Sequence, residues 1–276
     1  MMAALSVRPA GTDNFLGSCH LGESGRAYGG QIVGQALLAA SMTVPPDRAA
    51  HSVHVSFLRP ANPGTNLGYA VDRLRDGRAF TVRRVSASQE GTLLCSCTCS
   101  FQAPEGGAER SRRMPRVDAP DVCPPYYQGH PAPPDGKEAH ARALLDIRAG
   151  ACSDPSRPGD SQQYVWIRAL RALPDHQMWH HAALMYMSDL TLASTALLPA
   201  TPDQAAPPHG ESAGLQMASL DHVAWLHRPF RADEWLLFSQ VSTTCYGARS
   251  LTHGEFFSTG GHLVASVTQE VLIRRR

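Results

Sequence analysis

Apolar and polar positions along this chain follow two rhythms, and the same order of rhythms occurs twice. In residues 29–42, Ile32, Val33, Ala36, Leu37 and Ala40 recur at three-and-four spacing, the period of a helix, and Pro45-Pro46 ends it. Apart from Gln35 the residues between them are small or apolar, so the predicted helix is apolar nearly all round and has to be wrapped by something. Gly34 costs stability inside a helix, which points to close packing against a neighbour. Strand-like segments follow at 51–58, 67–74, 79–88 and 92–102, separated by Arg59-Pro60, Arg75-Asp76-Gly77-Arg78 and Gln89-Glu90-Gly91. One helix followed by an antiparallel meander is an α+β unit.

The same order returns downstream. A strand at 163–170 precedes a helical stretch at 178–197, and strands are expected at 216–226, 234–243, 249–258 and 262–273. A short sequence repeats as well. His54-Val55-Ser56-Phe57-Leu58-Arg59-Pro60 returns as His222-Val223-Ala224-Trp225-Leu226-His227-Arg228-Pro229, with one residue inserted. Two long copies are too few for a solenoid and read as a duplicated domain with a site where the halves meet. The expected division is 1–102 for the first unit, 103–160 for a Pro- and Gly-rich linker, and 161–276 for the second unit. Residues up to about Gly25 read as irregular, a short helix is expected over 138–147, and a polar loop over 199–214.

Charge narrows the function classes. With 25 Lys and Arg against 24 Asp and Glu, the chain carries no basic footprint for nucleic acid or an anionic membrane. No apolar run approaches membrane-spanning length, and the first residues lack the core of a secretory signal. The end Arg274-Arg275-Arg276 is not a peroxisomal tripeptide. A cytoplasmic protein without membrane insertion is expected. Lys137 is the only lysine, an Arg bias of the kind GC-rich bacterial genomes produce.

Seven cysteines, an odd number, read as free thiols. Cys95, Cys97 and Cys99 alternate on a strand and share one face; a metal or redox site is one reading, small buried hydrophobes the favoured one. His176, His180 and His181 cluster without an acidic partner at metal-site spacing, so no metal and no cofactor are expected. Gly29-Gly30 before a helix is compatible with a bound phosphate, but no P-loop Lys follows.

Three polar residues stand in apolar surroundings. Asp189 lies within the second helical stretch; buried, it is a general-base candidate, and facing solvent, an ordinary surface acid. Ser219 precedes Leu220-Asp221-His222 and is not in a nucleophile-elbow context. Asp221 and His222 are adjacent strand residues and point to opposite faces. Gln269 interrupts an apolar strand; taken alone, an outward-facing position is the commoner placement, whereas facing inward it needs polar partners.

The blocks Gly29-Gly30-Gln31-Ile32-Val33-Gly34-Gln35-Ala36, Asp76-Gly77-Arg78-Ala79-Phe80-Thr81-Val82-Arg83, Ser188-Asp189, Ser219-Leu220-Asp221-His222, Trp225-Leu226-His227-Arg228-Pro229-Phe230-Arg231-Ala232-Asp233 and Thr268-Gln269-Glu270 together resemble the acyl-CoA thioesterase II, or TesB-like, family. The resemblance spans nearly the whole chain outside the linker. It implies a double hotdog: two units, each a long helix wrapped by an antiparallel sheet. It further implies catalytic roles for Asp189, Ser219 and Gln269, with Ser standing where many members carry Thr, and direct attack of water on a thioester. A backbone N–H near a helix start would meet the oxyanion, Arg side chains would meet the CoA phosphates, and the chain would form a homodimer or homotetramer. The substrate implied is an acyl-CoA; a biosynthetic hotdog enzyme acting on a carrier-protein-bound acyl thioester is the alternative, and a non-catalytic acyl-binding protein a further one.

Overall fold

The computed structural model describes residues 1–20, 26–127, 141–151, 161–198 and 215–275. The first half runs α1 (Met2–Leu5), β1 (Arg8–Pro9), β2 (Asn14–Ser18), α2 (Gly29–Ser41), β3 (Ala49–Phe57), β4 (Asn66–Asp76), β5 (Phe80–Gln89) and β6 (Thr92–Gln102). The second runs β7 (Leu145–Gly150), β8 (Ser161–Ala169), α3 (Gln177–Thr195), β9 (Leu215–Ser219), β10 (Asp221–Leu226), β11 (Leu236–Tyr246), β12 (Arg249–Ser258) and β13 (Leu263–Arg275). Among the described residues the strands form one antiparallel sheet in the order β1-β2-β4-β5-β6-β3-β10-β13-β12-β11-β8-β7, with β9 added onto β13. The halves join where β3 pairs with β10, and α2 and α3 contact each other within the sheet's curve. This α+β arrangement is a double hotdog.

The two helices are wrapped as their composition requires. Every residue from Gly30 to Ala40 in α2 is buried, and so is every residue of α3 from His180 to Ser188. Gly34 explains itself here: a Cβ on it would lie 2.8 Å from the Ala182 carbonyl oxygen and 2.6 Å from Leu5, so only glycine permits this approach of α2 to α3. The buried amides of Gln31 and Gln35 each donate to the carbonyls of Ala4 and Ser18, at 2.6–2.9 Å, and Tyr69 donates to Gln35 at 2.6 Å. These bonds tie the N-terminal segment to α2, and so residues 1–20 are ordered as α1, β1 and β2 where the sequence reads as irregular.

Arg83 is wholly buried and closes the far end of α2. Its guanidinium donates to the Thr43 hydroxyl at 3.0 Å, the Thr43 carbonyl at 3.1 Å, the Arg75 carbonyl at 3.1 Å and the Asp76 carboxylate at 2.6 Å. A cation at a helix C-terminus meets the negative end of the helix dipole, and every donor here has an oxygen to satisfy it. In the second half, Arg231 binds Asp233 through two nitrogens and Asp175 at 2.6 Å, while Asp233 accepts the Leu173 N–H at 2.7 Å. That clamp sets the chain just ahead of α3.

Four further expectations are corrected. Residues 145–150, inside the span read as linker, form strand β7 and pair with β8. The short helix expected over 138–147 is a single 3-10 turn at Ala141–Leu144 leading into that strand, with 138–140 outside the described residues. The strand expected over 216–226 breaks at Leu220 into β9 and β10. The sequence repeat is out of step by one residue: His54 and Val223 pair on the outer face, whereas His222 is buried and pairs with buried Val55. The arrangement that keeps inward and outward faces alike is ungapped, with Ser52 to Pro60 matching Asp221 to Pro229. The polar loop expected over 199–214 lies outside the described residues. Cys95, Cys97 and Cys99 are all core residues, 0–1% exposed.

Candidate active site

The break in the strand at Leu220 builds the site. The Leu220 N–H donates to the Glu270 carbonyl at 2.9 Å, and its carbonyl accepts from Phe57 N–H at 2.9 Å. The Asp221 carboxylate accepts the Glu270 N–H at 2.7 Å, which holds the turn onto β13. Asp221 thus has a structural task, on the opposite face from His222. The turn carries Ser219 to the end of β9, beside Val271 of β13 and over α3.

The three polar residues meet there. Asp189 is half-buried on α3, Ser219 half-buried at the end of β9, and Gln269 points inward from β13 with no exposed surface. The Ser219 hydroxyl donates to Asp189 Oδ1 at 3.2 Å. Gln269 Nε2 donates to the same oxygen at 2.9 Å and also to Ser219 Oγ. The inward placement of Gln269 is the reverse of what its strand alone favours, and its amide is satisfied on one side by these two partners. Asp189 takes a third contact from across the molecule, on Oδ2, from the Gly30 N–H at 2.8 Å. The first N–H groups of a helix lack intrahelical partners and sit at the positive end of its dipole. The N-terminus of α2, compatible by sequence with a bound phosphate, therefore receives the carboxylate of α3.

Glycine is required at this junction. A Cβ on Gly30 would lie 2.7 Å from the Tyr186 carbonyl oxygen, and one on Gly29 would lie 2.8 Å from Asp189 Oδ2. Tyr28 and Tyr186 meet edge to face, with centroids 4.8 Å apart, and Tyr186 OH lies 2.8 Å from His20 Nε2. These rings flank the site with apolar surface and polar tips. Burial raises the Tyr186 phenol well above its ordinary range, so it stays protonated at neutral pH.

Two residues behind the site carry weak sequence signals. Ser188 Oγ lies 2.8 Å from His222 Nε2, and both side chains are buried. Burial lowers the His222 pKa, while Asp189, the Gln269 side chain and Asp221 pull it upward. The only hint of this residue in the chain is a histidine in an otherwise apolar strand face; its contact with the site depends on register. Among the described residues no group of three His, Cys, Asp or Glu is placed to hold a metal, and no helix is long and apolar enough to cross a membrane.

Comparison with known proteins finds two family models and several relatives. A family model described as acyl-CoA thioesterase matches residues 151–272, and one described as acyl-CoA thioesterase N-terminal domain matches residues 21–102. Acyl-CoA thioesterase 2 of Haemophilus influenzae is 34% identical over 261 residues, covering 90% of this chain and 88% of that protein. Human acyl-coenzyme A thioesterase 8 is 33% identical over 287 residues, covering 98% and 87%. The crystal structure of an acyl-CoA thioesterase II, TesB2, from Mycobacterium marinum superposes with a TM-score of 0.83 at 37% identity, over 100% of this chain and 98% of that one. The chain belongs to the acyl-CoA thioesterase family of thioester hydrolases.

Proposed function

We propose that this protein hydrolyses acyl-CoA thioesters to the free acid and CoA by direct attack of water. Asp189 accepts the water proton, Ser219 and Gln269 orient the water, and no acyl-enzyme forms. The observation that carries this reading is the convergence of a carboxylate, a hydroxyl and an amide in one hydrogen-bond network at the start of α2. A base must lie within hydrogen-bond reach of the proton it takes, directly or through one water. The half-exposed Asp189 and Ser219 supply an acceptor and a hydroxyl, and buried Gln269 bonds to both and holds them in place. Holding the nucleophile among three fixed groups lowers the entropic part of the barrier. The first turn of α2 offers backbone donors beside Asp189 for the charge that develops on the carbonyl oxygen.

The test is thiol release from a panel of acyl-CoAs, run beside acyl-carrier-protein thioesters. Release from the CoA esters that is lost in Asp189→Asn supports the reading. Release from carrier-protein esters alone would replace the substrate class, and an isotopically labelled acyl group trapped on the protein would replace the mechanism.

A further inference from the structure

Gln269 can help only if its amide is the right way round. Both donors of its Nε2 are used, on Asp189 Oδ1 and on Ser219 Oγ, so its Oε1 faces away from the carboxylate. A flipped amide would set Oε1 against Asp189 Oδ1, oxygen against oxygen, and would leave Ser219 Oγ without its donor. The carboxylate and the hydroxyl favour one orientation, but Oε1 also needs a partner, because a buried amide oxygen without one is costly. Oε1 is buried, and no hydrogen bond of good geometry reaches it. One other atom of the site is in the same condition, Nδ1 of His222.

The two belong together. β10 and β13 pair Val223 with Thr268, and one step along that register sets His222 beside Gln269 on the inward face. The Gln269 side chain raises the pKa of the imidazole against the effect of burial. Burial keeps the ring neutral against the pull of Asp189 and Asp221, so it carries one proton and has one donor nitrogen. Ser188 decides which nitrogen. Its hydroxyl lies 2.8 Å from His222 Nε2 and 3.2 Å from the Met185 carbonyl oxygen, and the shorter contact is to the ring. If the hydroxyl donates to Nε2, the ring proton sits on Nδ1 and faces Oε1, and both buried orphans are satisfied by one bond. The other tautomer would turn two acceptors toward each other.

We propose that His222, protonated on Nδ1 and held by Ser188, is a positioning residue that fixes the amide of Gln269 with its NH2 toward Asp189 and Ser219. The inference rests on the role assigned to Gln269 above. His222 touches no reacting atom; it acts through Gln269, and Ser188 acts through His222.

Two experiments on the full-length protein test it. In the first, side-chain ¹⁵N NMR of histidine-labelled enzyme at neutral pH, with the His222 signals assigned by their loss in a variant, should show a protonated Nδ1 and a bare Nε2. A protonated Nε2, or an imidazolium, overturns the proposal. This result does not depend on turnover, so it stands apart from failure of the thioesterase reading, which would appear as absent thiol release by the unaltered enzyme. The second is a mutant cycle. His222→Leu should lower kcat by about 10²-fold with KM little changed, as expected for a misplaced group in the site. His222→Asn, whose amide N–H falls near the place of Nδ1, should stay within roughly tenfold of the parent, the scale of one hydrogen bond. In a Gln269→Ala background, His222→Leu should add almost nothing. Equal losses from His222→Leu with and without Gln269, or a folded His222→Asn as inactive as His222→Leu, would overturn the proposal. Should the leucine variant not fold, the asparagine variant and the NMR measurement still decide.

Discussion

The two halves share one architecture and differ in one place. The strand registers identify the equivalent positions: Ser219 opposite Val271 corresponds to Ala50 opposite Phe101, and Val223 opposite Thr268 corresponds to His54 opposite Thr98. On that correspondence Gln269 matches Cys99 and His222 matches Val53. Counted from the first residue of each helix, Asp189 matches Ser41 and Gly30 matches Met178. The first half thus carries a hydroxyl, a methyl, a thiol and an isopropyl group where the second carries acid, hydroxyl, amide and imidazole. A hollow of about 200 Å³ persists at the counterpart place, lined by Ser41, Ala50 and Met178 together with Arg48, His176 and His181. The helix N-termini differ in the same way. The Gly30 N–H reaches across to Asp189, whereas the Met178 N–H bonds to its own cap, His176 Nδ1, at 3.3 Å. Both halves keep the frame and the polar set stands in one of them, because the frame needs only inward apolar residues.

The comparison is most exposed to the acid. Asp189→Asn keeps the shape of the carboxylate but cannot take a proton, and thioesterase turnover is expected to fall by about two to four orders of magnitude with the fold intact by circular dichroism. Ser41→Ala, at the equivalent position, is expected to leave kcat unchanged within twofold, on the order of a surface substitution. Matching losses in the two variants would mean that the halves share the chemistry. Near-full turnover in Asp189→Asn beside a dead Cys or other Ser variant would instead point to a covalent acyl-enzyme.

Smaller losses are expected at the two other residues of the hydrogen-bond network. Gln269→Ala and Ser219→Ala should each lower kcat by roughly ten- to a hundredfold, the serine change costing less because it removes one positioning bond and leaves the proton acceptor. Steady-state kinetics on one acyl-CoA checks the order; a serine variant worse than Asp189→Asn would make Ser219 the nucleophile.

The contact between the halves is tested by Gly34→Ala. The added methyl meets the Ala182 carbonyl at 2.8 Å and needs α2 and α3 to move apart. Overpacking of this kind costs about 1–3 kcal/mol, a fall of several degrees in Tm by thermal melting. An unchanged or higher Tm would show that the helices are not locked by this approach.

The weakest effect is a pH dependence of stability centred on the hollow of the counterpart site. Burial, helped by the neighbouring His180 and His176, holds His181 at about 3. Unfolding frees it to titrate near its ordinary value of 6.5, so below that pH the unfolded chain binds a proton that the folded chain refuses. Stability present at neutral pH is therefore lost as pH falls below about 6.5, by at most about 1.4 kcal/mol per pH unit for this residue. Denaturant titrations at pH 7.0 and 5.5 on the parent and His181→Phe should show a smaller acid loss in the variant. Equal losses would remove His181 as the source.

Much of the frame is legible locally. The helices at 29–41 and 177–195 and the ends of β6 and β12 follow from periodicity and from Gly and Pro punctuation, because these are set by residues within a few positions of one another. The N-terminal segment and β7 were not legible, since each becomes ordered by bonds to distant partners, Gln31 and Gln35 for the one and β8 for the other. By itself, the sequence determined that the chain is two like units, each a buried helix under an antiparallel sheet, and which polar residues stand out against that background. Only the tertiary structure decided which face each of them takes. In a strand the side-chain period is two, so a slip of one residue reverses every position. The matched pair His54 and His222 is such a slip, one outside and one in, and Gln269 is inward although its own strand alone favours the outward face. Local sequence cannot resolve a choice that depends on how β3, β10 and β13 register against each other, and on that register rests the meeting of Asp189, Ser219, Gln269 and His222.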